Sequence, residues 1–232
     1  NGCAANNINA SVTINPEPYI TSPNIYNYTT VGFYDQQNYS SGCLHLTPEN
    51  AGTNETAIWR NEKINLDVPF DTLFTIYLGN NDDGADGIAF VMQNDPNGLN
   101  AIGTAGGQLG YAVYPGSAGP VITSSLAVEF DSYYNPEIYG DIPCDHISVI
   151  RDGNMGNPAS NLGNTNGLSP SVQVSPSACN VEDGNIHLAR IKWTPNPATG
   201  IARYQIYFDD MITPRYDIAS VDYNTIFGGV KQ

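Results

Sequence analysis

Leu126-Ala127-Val128-Glu129-Phe130-Asp131-Ser132-Tyr133-Tyr134-Asn135 decides how this chain is read, together with its continuation through Asp141 to His146. Side chains two apart on a β-strand share a face. Leu126, Val128 and Phe130 therefore point to a core, while Ala127, Glu129 and Asp131 share the other side. At a rise of about 3.3 Å per residue the two carboxylates stand roughly 7 Å apart along the strand, close enough to reach one cation. Asp131, the carbonyl of Tyr133, Asn135 and Asp141 would supply a hard cation such as calcium with oxygens. Glu129, Asp131, Asp141 and His146 would supply the mixed oxygen and nitrogen set that manganese accepts. Any one of these residues alone is an ordinary strand or turn residue. Their density, with an imidazole opening the next apolar segment, reads as metal binding.

Outward from this stretch, Tyr, Thr, Val and Ile recur between Gly, Pro, Asn and Asp every dozen or so residues, which is the pattern of a many-stranded sandwich or barrel. No useful length of helical periodicity interrupts it. Strands are predicted at Asp71 to Leu78, Gly87 to Met92, Ser125 to Ser132, His146 to Ile150, Ile186 to Trp193 and Ala202 to Phe208. The Asn- and Gly-rich segment from Gly153 to Gly167 reads as surface loop. The 232 residues carry no internal repeat and no apolar run near the roughly 18 residues a membrane helix needs, so one domain over 1–232 without membrane insertion is expected. The chain opens at Asn1 with no signal peptide, as a processed piece would.

A net charge of -15, from 23 acidic and 8 basic residues, argues against nucleic acid as a partner. The four cysteines, Cys3, Cys43, Cys144 and Cys179, are too far apart for a CxxC metal or redox motif, so disulfides in an oxidising compartment are expected. Three pairings are open; locality favours Cys3 with Cys43 and Cys144 with Cys179. His45, His187, Trp59 and Trp193 read as structural residues. Asn9, Asn27, Asn38 and Asn54 each open an N-x-Ser/Thr sequon.

Leu126 to Ile150 resembles the metal-binding segment of the legume-lectin (L-type) family, where V-E-F-D-T-x-x-N is followed by an Asp and, five residues on, by a His. Asp141 and His146 keep that last spacing, although the gap from Asn135 to Asp141 is one residue longer than in the plant proteins. Gly84-Ala85-Asp86-Gly87-Ile88-Ala89-Phe90 resembles the family's A-D-G-x-A-F strand, and Gly106-Gly107-Gln108-Leu109-Gly110 its G-G-x-L-G loop. Weaker likeness extends through Glu182-Asp183-Gly184, Trp193 and Ile226-Phe227-Gly228-Gly229. The resemblance implies an all-β, concanavalin-like jelly-roll sandwich of two antiparallel sheets. It implies that Asp86, Asn135 and the backbone N–H of Gly107 hydrogen-bond a sugar, that Tyr133 covers the sugar's apolar face, and that the Ala85-Asp86 peptide is cis. It further implies calcium with manganese in an adjacent site.

The function expected on this resemblance is calcium-dependent carbohydrate binding, without catalysis, by a secreted or cell-surface protein that adheres to glycans on cells or matrix. A metal-stiffened structural module of a large surface protein is one rival, against which Asp86 and the Gly106-Gly107 loop argue. A glycoside hydrolase is another, since Glu129-x-Asp131 opens a strand motif of some concanavalin-like hydrolases, but Tyr133 and Tyr134 stand where its final Glu belongs. Relatives continue from I-F-G-G into a further strand and loop that helps select the sugar. The chain is expected to lack it, and the poor match to plant proteins outside the three blocks points to a bacterial source.

Overall fold

The computed structural model describes residues 12–14, 27–32, 39–40, 43–44, 46–47, 54–155, 172–174 and 179–229. Thirteen strands occur among them, all pairing antiparallel, with a 3-10 turn at Gly98–Asn100 and one α-helical turn, α1 (Tyr223–Ile226). A five-stranded sheet has the order β1 (Val12–Ile14), β6 (Phe70–Ile76), β11 (His187–Asn196), β12 (Ile201–Phe208), β13 (Tyr216–Asp222). A four-stranded sheet has the order β10 (Val172–Gln173), β9 (His146–Arg151), β8 (Ser125–Asp131), β7 (Gly87–Gln93). Two small ribbons join β2 (Tyr28–Gly32) to β5 (Thr56–Arg60) and β3 (Tyr39–Ser40) to β4 (Cys43–Leu44). This is the antiparallel jelly-roll sandwich the resemblance implies. The six predicted strands are present with ends shifted by a few residues, the largest shift being the extension of β11 through Asn196.

Alternation along the strands builds the core between the two main sheets. Leu126, Val128 and Phe130 of β8 and Ile147 and Val149 of β9 face Ile191 and Trp193 of β11 and Tyr204 and Ile206 of β12, all of them buried. Phe74 links the sheets, stacking on Phe90 at 5.6 Å between ring centroids and meeting Phe130 edge-on at 6.3 Å. Trp193 is wholly buried, and its indole N–H donates to the carbonyl of Leu66 at 2.9 Å, so its polar atom is satisfied inside the core. Trp59 is half-buried on β5 and donates to the carbonyl of Ala101.

A second apolar cluster lies on the outer face of the four-stranded sheet, where Ala127 and Ile150 pack beneath Tyr111, Ile122, Tyr139 and Met155. The loops between β7 and β8 and between β8 and β9 thus roof this sheet. As a result every residue of β8 is buried, including the carboxylates of Glu129 and Asp131 on its non-core face. Cys144 and Cys179 form a disulfide; Cys3 and the side chain of Cys43 lie outside the described residues, as do His45, the sequons at Asn9 and Asn38, and residues 156–167 of the Asn/Gly loop.

Candidate metal and ligand site

Register places the acidic strand at the centre of the site. Asp131 lies opposite His146 of β9 on one side and Gly87 of β7 on the other, while Glu129 lies opposite Ser148. Asp131, Asp141 and His146 each offer a ligand atom, and the three atoms all lie within 4.8 Å of one another. Asp141 is brought in by the turn after Asn135: its Oδ2 accepts the N–H of Asn135 at 2.7 Å, and the carbonyl of Asn135 accepts the N–H groups of Ile138 and Tyr139. Asp131 Oδ1 accepts the N–H of Tyr133 at 2.8 Å. Each carboxylate therefore orders one limb of the loop and keeps further lone pairs for another partner.

Electrostatics then favour a cation. His146 Nε2 stands 3.8 Å from Glu129 Oε1 and 3.7 Å from Asp141 Oδ1, beyond hydrogen-bond reach of either. His146 Nδ1 meets the carbonyl of Cys144 at 3.2 Å. With Nδ1–H donating there, Nε2 turns its lone pair toward the carboxylates. Burial, then the neighbouring Asp141, pushes the Glu129 carboxyl up to about 8. Burial, then Glu129 and Asp141, raises Asp131 well above the usual carboxylate range. Burial raises Asp141 to about 6 and lowers His146 to about 4. Glu129 Oε2, Asn135 Oδ1 and His146 Nε2 are buried without a hydrogen-bond partner among the described residues. Three acids and a neutral imidazole with orphaned lone pairs suit a bound divalent cation, which these donor types accept.

The residues implied as sugar ligands adjoin this cluster. The Ala85-Asp86 peptide is cis. The carbonyl of Asp86 accepts the N–H of Ser132 at 3.0 Å, which fixes the Asp86 loop beside the end of β8. Burial raises the Asp86 carboxyl. Gly87 must be glycine: its φ is +131° and a Cβ there would strike the backbone of Phe130. At Gly107 a Cβ would come within 2.9 Å of Asn135 Oδ1 and 3.1 Å of the Tyr139 ring, so its missing side chain is what lets the Gly106-Gly107 loop close on Asn135. Tyr133 is 45 % exposed at the rim. Gly107 thus meets Asn135, while the Asp86 loop is held at the end of β8 next to Asp131; Asp86, Gly107 and Asn135 are all partly exposed.

Tyr139 is a residue that sequence reasoning passed over. It is 3 % exposed, its hydroxyl takes a hydrogen bond from the Gln108 amide, and its ring lies under Gly107. Nothing in the sequence of the turn separates it from its exposed neighbour Ile138. His187 is structural, as expected: its Nδ1 pairs with Asp209 at 2.9 Å, its Nε2 faces Asp183 and the carbonyl of Val181, and its ring stacks on Phe208.

The legume lectin beta-barrel domain family matches residues 14–229. The chain belongs to this family. Among solved structures, this legume lectin domain is similar to the basic winged bean lectin with Tn-antigen, at 22 % identity and a TM-score of 0.56 over 85 % of this chain and 76 % of that one. It is likewise similar to lectin II from Ulex europaeus, at 21 % identity and 0.56 over 88 % and 81 %. A third is the winged bean acidic lectin complexed with methyl-alpha-D-galactose, at 21 % identity and 0.54 over 90 % and 81 %. At such identities the structures speak for the shared fold, which this lectin domain keeps across most of its length.

Proposed function

We propose that this chain is a calcium-dependent carbohydrate-binding domain with no catalytic activity, carried by a secreted or cell-surface protein for adhesion to glycans. The observation that carries the reading is the closing of Gly107 on Asn135, with the Asp86 loop fastened to the end of β8, beside the buried cluster of Asp131, Asp141 and His146. Two of the structures sharing the fold hold a carbohydrate ligand, the Tn-antigen and methyl-alpha-D-galactose.

Asp131, Asn135, Asp141 and the carbonyl of Tyr133 would hold calcium, and Glu129, Asp131, Asp141 and His146 a transition ion such as manganese. A bound cation supplies the positive charge that lets these buried acids ionise together. The protein's residues do the recognition. Asp86 accepts from sugar hydroxyls, the Asn135 amide and the Gly107 N–H donate to neighbouring ones, and the Tyr133 ring covers the C–H face. Asn135 is ordered twice over, through its N–H on Asp141 and its carbonyl under Ile138 and Tyr139. Pre-ordering of this kind lowers the entropy cost of binding.

A glycan array probed with and without calcium tests the proposal, with the melting curve recorded in both states. Binding to a defined set of glycans only when calcium is present is the expected result. Cleavage of any oligosaccharide would instead favour a hydrolase. A folded, calcium-loaded protein that binds no glycan would favour a structural module.

A further inference from the structure

A second acidic centre lies behind the Asp86 loop, apart from the cluster just described. Glu182 is 3 % exposed, and its Oε2 has no hydrogen-bond partner among the described residues. Its Oε1 lies against Gly84, where a Cβ would strike it, two residues before Asp86, and the carboxyl takes one hydrogen bond from the Ser132 side chain, which leaves Oε2 as the orphaned oxygen. Asn180, half-buried, donates through Nδ2 to Asp82 Oδ1 at 2.5 Å, while its own Oδ1 is buried and likewise without a partner. Asp145 enters from a third segment: its Oδ2 accepts the N–H of Val181 at 2.6 Å, its N–H donates to the carbonyl of Cys179, and the Cys144–Cys179 disulfide ties the two segments together. The N–H of Gly184 donates to the carbonyl of Gly79 at 2.9 Å, closing the 179–184 turn onto the base of the Asp86 loop.

Three carboxylates and an amide oxygen are thus assembled from three chain segments. Among the described residues no ion pair involves Asp82, Asp145 or Glu182. Buried acceptors with nothing to accept from are rare in folded proteins and call for an explanation. A hard cation satisfies oxygens that have no donor to meet, and nothing soft or nitrogenous is offered here that would select a transition metal.

We propose that Asp82, Asn180 and Glu182, with Asp145 adding negative charge, form a further calcium site that clamps the Asp86 loop to the 179–184 turn. The carboxylates are gathered less tightly than those of Asp131, Asp141 and His146. Calcium takes six to eight oxygens, some from backbone and water, and tolerates such a site. The site stands apart from the sugar reading: it calls for a cation whether or not Asp86 binds a glycan.

Calcium bound per chain, measured by equilibrium dialysis on the manganese-loaded protein, tests this. Glu182→Gln and Asp82→Asn are each expected to lose one equivalent, or to weaken it at least tenfold, while Asp131→Asn loses a different one and the pair Asp82→Asn/Asp131→Asn loses both. Asp82 is exposed, so Asp82→Asn decides the matter even if Glu182→Gln fails to fold. Wild-type calcium stoichiometry and affinity in Asp82→Asn would overturn the proposal. Loss in Asp131→Asn alone would leave the principal site standing and remove this one.

Discussion

Replacing Glu129 by Gln has opposite expected effects with and without metal. In the metal-free protein Glu129 is buried beside Asp141 and its carboxyl sits at about 8, against about 4.5 in an unfolded chain. A carboxyl whose folded value is raised gives its full stability below pH 4.5, and that stability drains away as pH rises toward 8. From these two values, holding Glu129 largely protonated in the fold while the unfolded chain ionises costs the metal-free protein about 1 kcal/mol at pH 5 and at most about 3 kcal/mol at pH 7. Gln keeps the shape and removes the charge. Metal-free Glu129→Gln is therefore expected to melt above the wild type at pH 7, by up to roughly 6 to 12 °C at about 2 to 4 °C per kcal/mol for a domain of this size. The gap should shrink to a few degrees at pH 5. With manganese and calcium added the order reverses, because the wild type gains a ligand that the variant lacks. Thermal melts of both proteins in chelator and in metal, at pH 5 and pH 7, measure all four differences. A variant less stable than the wild type in chelator at pH 7, or a gap that does not move with pH, would refute the view of Glu129 as an acid awaiting a cation.

Asp131→Asn is expected to remove the share of calcium-induced stabilisation that comes from the principal site, which at calcium a hundredfold above its Kd is about 2.7 kcal/mol; an unchanged calcium shift on melting would contradict its place at the centre of the cluster. Asp86→Ala is expected to weaken glycan binding some ten- to a hundredfold, the worth of a charged acceptor at roughly 1.5 to 3 kcal/mol. Calorimetry should show this with calcium affinity at the principal site intact. Gly107→Ala is expected to weaken glycan binding without moving the melting point by more than a few degrees, since the added methyl pushes on Asn135 and Tyr139 at the rim; normal binding would mean that the Gly107 loop does not touch the ligand. Trp193→Ala, which empties a wholly buried site in the core and orphans the carbonyl of Leu66, is expected to cost about 3 to 5 kcal/mol in chemical denaturation.

Local patterning carried most of the fold. β8 alternates apolar residues on its core face with Ser125, Ala127, Glu129 and Asp131 on the other, and β9 does so from His146 to Val149 before Ile150 joins the outer cluster, so both are legible within a residue. β13 was not foreseen: Tyr216 and Val221 are buried but a register shift opposite Ala202 and Tyr204 breaks the alternation, and Asp217 points out to Arg203. β2 and β5 were missed because all of β5 and most of β2 are only half-buried, which leaves no period of two to read. In the site, Asp131, Asp141 and His146 were legible because they crowd within 16 residues of sequence. Asp82 and Asn180 are 98 residues apart, and only the closing of two loops makes them partners. Tyr139 and Glu182 carry no local mark of burial; one stands beside the exposed Ile138 and the other beside Asp183 and Gly184.

The central claim is that a cation held beside Asn135 readies a sugar site at Asp86. Calorimetric titration of the chelated protein with a glycan chosen from the array, followed by the same titration after calcium is restored, tests it most directly. No measurable heat of binding in chelator and a saturable isotherm in calcium, both from protein with unchanged circular dichroism, is the predicted result. Equal affinity in the two states would contradict the account.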